Sequence, residues 1–120
     1  MRNLTQHIVE GDSVNHQLGI VVHDEPGHGG ACHSYSIIDD PKPLCGIDFQ
    51  NGPIKEVGVN GITHEALLAI LIDRMEGFQA GPYASKDNAR ALTHMKAALG
   101  SLQNRTRARI ARGVEGTHAV

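Results

Sequence analysis

The 120-residue sequence has little cysteine, only Cys32 and Cys45. Two thiols are too few for a disulfide framework, so the chain reads as reduced and cytosolic. No apolar run follows a basic start in the manner of a signal peptide, and none approaches the ~20 apolar residues that a bilayer span requires. Neither sign of charge dominates. A net charge of −2 gives the chain no general attraction for nucleic acid or anionic membrane, so any anion site has to be local. Catalytic signatures are missing as well: there is no G-x-S-x-G, Walker loop or H-E-x-x-H, and the carboxylates are scattered over solvated helix faces. This favours a binding protein over an enzyme, with no cofactor implied.

The length fits one domain, although a domain this small buries only a modest share of its surface, which makes self-association an expectation. Its two halves differ. Residues 1–60 hold most of the glycine and proline, five of the eight histidines and short β-branched runs such as Ile20-Val21-Val22 and Ile37-Ile38. That is strand and turn material, with strands predicted at Gly19 to His23, His33 to Ile38 and Leu44 to Phe49 in a small antiparallel sheet. His23 to Gly30 reads as a loop, and Asn51-Gly52 as a tight turn before an irregular stretch at Pro53.

From Thr63 the apolar period becomes helical. Thr63 is the expected N-cap, Glu65 lies in the first turn, and Leu67, Leu71 and Met75 recur beside Leu68 and Ile72 up to an end near Phe78. A bend holding Gly81-Pro82 follows. Ser85 caps a second helix with Leu92, Met95, Leu99, Leu102, Thr106 and Ile110 as its stripe and Gly113 as its stop. At about 27 residues and ~40 Å, this helix outruns the first, whose roughly 15 residues reach ~22 Å, and the surplus must meet the sheet or another chain. The predicted fold class is α+β: a sheet region at 1–60 and a two-helix hairpin at 61–120, oligomeric.

Two places on the hairpin could carry chemistry. Arg105, Arg109 and Arg112 share one face of the second helix, with Arg107 pointing elsewhere, and planar guanidinium forks match phosphate oxygens two at a time. The plainer alternative is a basic last turn serving the helix dipole. Phe78, at the end of the first helix, and Asn88, at the start of the second, could with Tyr83 supply a stacking ring and an amide for a base. They could equally pack the bend and extend the Ser85 cap. His23, His28, Cys32, His33 and Cys45 are soft ligand types, but no C-x-x-C or H-x-x-x-H pair joins them, so no metal site is predicted.

Several stretches carry a family resemblance: Phe49-Gln50-Asn51-Gly52-Pro53-Ile54, then Asn60 to Leu68 (NGITHEALL), Ile72-Asp73-Arg74-Met75, Ser85-Lys86-Asp87-Asn88, and Arg105 to Thr117 (RTRARIARGVEGT). Over residues 47–117 the chain resembles the first-described Thoeris anti-defence family of phage proteins, whose hairpin is shared with a smaller anti-CBASS sponge family. The resemblance implies a small sheet joined to a helical hairpin, assembled as a dimer or hexamer. The implied function is a sponge in the host bacterial cytoplasm that sequesters glyco-cyclic ADP-ribose, and in some members cyclic di- or trinucleotides, without cleaving it. Carried over position by position, the motif places ligand contacts on Phe78, Asn88, Arg105 and Arg109. The rival reading is a nucleic-acid-associated phage accessory protein whose arginines contact polymer phosphates.

Overall fold

The computed structural model describes residues 1–120 as an α+β chain in two compact units. The first comprises residues 1–52 and 57–62, and the second residues 53–56 and 63–120.

The first unit is an antiparallel meander of β1 (Arg2–Leu4), β2 (Gly19–Val22), β3 (Ser34–Asp39) and β4 (Lys42–Asp48), paired in chain order. Three strands lie close to their expected places. β4 begins earlier than predicted, at Lys42, because Asp40 and Pro41 form the turn that joins it to β3. Pro43 has no N–H to donate and lies opposite Ile38, where the register slips between Ile37 and Ile38. β1 was not anticipated: three residues carry no readable alternation, and β2 supplies the pairing that makes them a strand. The predicted loop at His23 to Gly30 also contains a 3-10 turn at His28–Gly30. Val22, the last residue of the inner strand β2, is fully buried, and Cys32 is the other buried side chain of this unit.

After β4 the chain loops out and returns to form a parallel bridge between Phe49 and Ile62. Ile62 donates its N–H to the Asp48 carbonyl at 2.8 Å, and the Gln50 N–H bonds to the Ile62 carbonyl at 2.8 Å. Gly61 is required at this approach, because a Cβ there would lie 2.4 Å from the Phe49 backbone carbon. Asn60 closes the excursion by accepting the Asn51 N–H at 2.8 Å and donating to the Asn51 carbonyl at 2.7 Å.

A single helical turn, α1 (Ile54–Val57), follows Pro53, a residue suited to a helix start, and all but its last residue belongs to the second unit. The hairpin is α2 (His64–Gln79) and α3 (Lys86–Ala111). Both predicted caps are formed: Thr63 Oγ1 accepts the Ala66 N–H at 3.1 Å, and Ser85 Oγ accepts the Asn88 N–H at 3.0 Å. Ile72 is buried between the helices, and Leu68, Met75, Leu92, Met95, Leu99 and Leu102 are half-buried. Leu71, expected on the same stripe, stays 45% exposed.

α3 ends as the position of Gly113 suggests. Arg112 is the last αR residue and Gly113 takes φ +73°. Val114 N–H then reaches back to the Arg109 carbonyl and Gly113 N–H to that of Ile110, both at 3.0 Å, a Schellman stop that satisfies two carbonyls of the last turn.

Candidate functional site

The four residues singled out from sequence fall into two groups at opposite ends of α3. At the hairpin bend, the Phe78 ring packs against Tyr83 with centroids 6.1 Å apart and planes inclined at 63°. Asn88 Nδ2 donates to the Tyr83 carbonyl at 3.2 Å, so Tyr83 links the two residues. Gln79 braces the bend from the other side, donating to the Ser85 carbonyl at 3.1 Å and accepting the Ser85 N–H at 3.0 Å. The bend is thus held by side-chain amides bonding to backbone, which leaves the half-buried Phe78 ring, the Asn88 carbonyl oxygen and the 72%-exposed Tyr83 at its surface. The cap and packing roles weighed from sequence are therefore real, and they leave a ring and an acceptor in place.

Sequence reasoning passed over a neighbour. The Arg74 guanidinium lies over the Phe78 ring, 4.8 Å from its centroid. The signal was legible as the four-residue spacing that stacks side chains on one helix face.

At the far end the arginines have separate fates. Arg109 is spent inside the chain: Nη1 donates to the Ala119 carbonyl at 2.6 Å, Nη2 to the carbonyls of Val114 and Thr117 at 3.0 Å each, and Nε to Glu115 at 3.3 Å. Arg112 donates to the Val120 carbonyl, and Arg107 to Asn104 Oδ1 at 2.7 Å. Arg105 has no hydrogen bond or ion pair and is exposed. The segment after α3 is tied down further where Lys55 N–H meets the Gly116 carbonyl at 2.9 Å and His118 Nδ1 meets Glu56 at 3.0 Å. The surplus length of α3 was expected to meet the sheet or another chain. Its last turn carries this folded-back segment and leaves Ile110 60% exposed.

Phe78 and Asn88 are thus brought together, and Arg105 and Arg109 are not brought to them. The 17 positions from Asn88 to Arg105 on one straight helix correspond to ~25 Å.

The histidine-rich loop is bonded to its own backbone and neighbours. His23 Nε2 meets Ser36 Oγ at 2.6 Å, His33 Nε2 meets the His28 carbonyl at 3.0 Å, and the Cys32 thiol donates to the Asp24 carbonyl at 3.3 Å. The Asp24 carboxylate accepts the N–H groups of His33 at 2.8 Å and Ser34 at 3.1 Å. These bonds, the His33 N–H first, outweigh partial desolvation and hold Asp24 below the ordinary carboxylate range. No three ligand-type side chains converge as a metal site.

Comparison with known proteins identifies the family of the hairpin. Residues 42–107, more than half of the chain, match the family described as "Acb2/Tad1, hairpin domain". Over 92 residues the sequence is 40% identical to Thoeris anti-defense 1 of Bacillus phage SBSphiJ7. The chain belongs to the Thoeris anti-defence family. The alignment covers 77% of this chain and 65% of the Bacillus phage protein, so the chain spans a little under two thirds of that relative's length. The matched span contains Phe78, Asn88 and Arg105 and stops short of Arg109.

Proposed function

We propose that this protein is a sponge: it captures a cyclic ADP-ribose-type immune signal, glyco-cyclic ADP-ribose in particular, and returns it chemically unchanged. Membership of the Thoeris anti-defence family supports the class of function. The observation that carries the reading is the Arg105 guanidinium, which projects from a rigid helix with its donors unspent. A charged planar fork fixed on a helix face is suited to a diphosphate. Arg109 has four of its five N–H bonds already committed, so its share in holding phosphate is smaller or requires exchange of a tail carbonyl.

Phe78 and Asn88 would meet the base. Because they stand ~25 Å along α3 from Arg105, more than a small cyclic nucleotide bridges, one ligand touching both groups must lie between two chains. Two antiparallel copies of α3 related by a twofold axis would bring the start of one beside the end of the other and create two identical pockets. The exposed apolar side chains Ile70 and Leu71 on α2 and Ile110 on α3 support self-association, as a dimer or a hexamer. Cyclic di- or trinucleotides would occupy separate sites, and the compartment of action would be the host cytoplasm.

The test has two arms. Purified protein is incubated with candidate messengers, and after heat release the bound species is identified; recovery of a fragment in place of the intact molecule refutes sequestration. A chain carrying Asn88→Trp is then co-refolded with one carrying Arg105→Glu, each inactive alone. Random pairing makes about half the dimers mixed, and about a quarter of all pockets should recover binding. Confirmed mixed dimers with no recovered sites refute the shared pocket.

A further inference from the structure

Arg74 is the single arginine of α2, and its role differs from those of the arginines near the end of α3. Arg107, Arg109 and Arg112 donate to Asn104 or to the segment beyond α3, and Arg105 is the phosphate ligand of the proposed site. Arg74 is exposed, and its guanidinium makes no hydrogen bond or ion pair; its one contact is the Phe78 ring at 4.8 Å.

This contact has two physical consequences. The ring quadrupole attracts the cation and restrains a side chain that would otherwise sample many rotamers, so part of the ordering cost of a later contact is met before the ligand arrives. The contact with the ring uses none of the guanidinium N–H donors, and no hydrogen bond occupies them. The bend therefore presents a positioned cation beside an aromatic ring. Tyr83, inclined at 63°, does not lie flat on that ring. Arg90 and Arg105 of α3 also have unspent donors, and Arg105 stands ~25 Å away along α3 from Asn88.

We infer that Arg74 is a second anion-binding residue of the site, giving a charge-assisted hydrogen bond to a phosphate or other anionic group of a ligand held at Phe78. This rests on the proposed reading of Phe78 as the base-stacking ring. It also makes the site selective for ligands that carry their negative charge close to the base.

Calorimetric titration of the full chain, using cyclic ADP-ribose as an anionic probe and adenosine as an uncharged one, tests the inference. Arg74→Met keeps an apolar side chain over the ring and removes the charge, while Arg74→Lys keeps a cation and removes the fork. The expected result is a loss of about ten- to a hundred-fold for cyclic ADP-ribose with Arg74→Met, a smaller loss with Arg74→Lys, and no change for adenosine. The deficit should narrow as salt rises from about 0.05 M to about 0.5 M, as a screened charge contact requires and a packing role does not. If Arg74→Met binds cyclic ADP-ribose like the parent while Phe78→Ala is weakened, the inference is wrong and the Phe78 reading stands. Equal losses for both probes make Arg74 a packing residue and also overturn it. If Phe78→Ala binds like the parent, or the parent binds neither probe, the underlying reading fails.

Discussion

The start of α3 and its far end both gather polar side chains, but they use them differently. At the start, Ser85, Gln79 and Asn88 bond to backbone and stabilise the bend, while the groups left at its surface include an aromatic ring with a cation lying on it. At the far end, two arginines four residues apart divide the work: Arg109 holds the following segment and Arg105 holds nothing. The difference teaches that residue type and helix face do not settle a role. Arg105 and Arg109 present the same chemistry on the same face, and the path of the chain beyond Gly113 decides which one is consumed.

This contrast can be broken most directly at Arg109. Its side chain is 21% exposed and makes four charged hydrogen bonds, so Arg109→Ala should lower unfolding stability by about 2 to 4 kcal/mol. Arg105→Ala should leave stability within about 0.5 kcal/mol while abolishing capture. Chemical denaturation of both variants checks this. Equal stability of the two would mean that the tail contacts at Arg109 contribute nothing and the division of labour is false.

A smaller effect is expected at the other end. Ser85→Ala removes the cap that accepts the Asn88 N–H and should cost about 1 kcal/mol, with Ser85→Asp close to the parent. If capture by Ser85→Ala falls much further than its stability, the cap is also setting the Asn88 amide toward the ligand, and the start of α3 is more than a braced bend.

The smallest effect lies in the sheet unit and depends on pH. The Asp24 carboxyl is held below its ordinary value by the His33 and Ser34 N–H groups. A depressed folded-state value means that its stabilisation is present above the unfolded value and disappears as pH falls through the folded one. Melting of the parent should therefore drop as pH falls through and below the ordinary carboxylate range, and Asp24→Asn should flatten part of that drop. An identical acid limb in Asp24→Asn would assign the pH dependence to other groups, among them Asp12, which is lowered by the Val9 N–H in the same way.

Local patterns were enough to place the hairpin. Thr63 and Ser85 were readable as caps and Gly113 as a stop because each acts on backbone groups within four residues. The heptad-like stripe of α3 was readable for the same reason, since one face repeats every 3.6 residues. β1 was not readable, being three residues whose strand character depends on β2 some 17 positions later, and neither was the early start of β4 at its turn. Around the candidate site, sequence brought forward Phe78, Asn88, Arg105 and Arg109 as residue types suited to a nucleotide. The four-residue spacing of Arg74 and Phe78 was readable but passed over, and sequence could not show that Arg109 is already occupied.

What the sequence determined by itself was therefore every feature with a short-range cause: two capped helices, their apolar stripes, the Gly113 stop, and an arginine-rich face beside one of them. What only the tertiary structure decided was which of those arginines remains available. That outcome depends on carbonyls at Val114, Thr117 and Ala119 turning back onto Arg109 after the helix has ended. A guanidinium offers the same five donors wherever it stands, and only the folded path of the backbone determines whether carbonyl oxygens reach them before a ligand does.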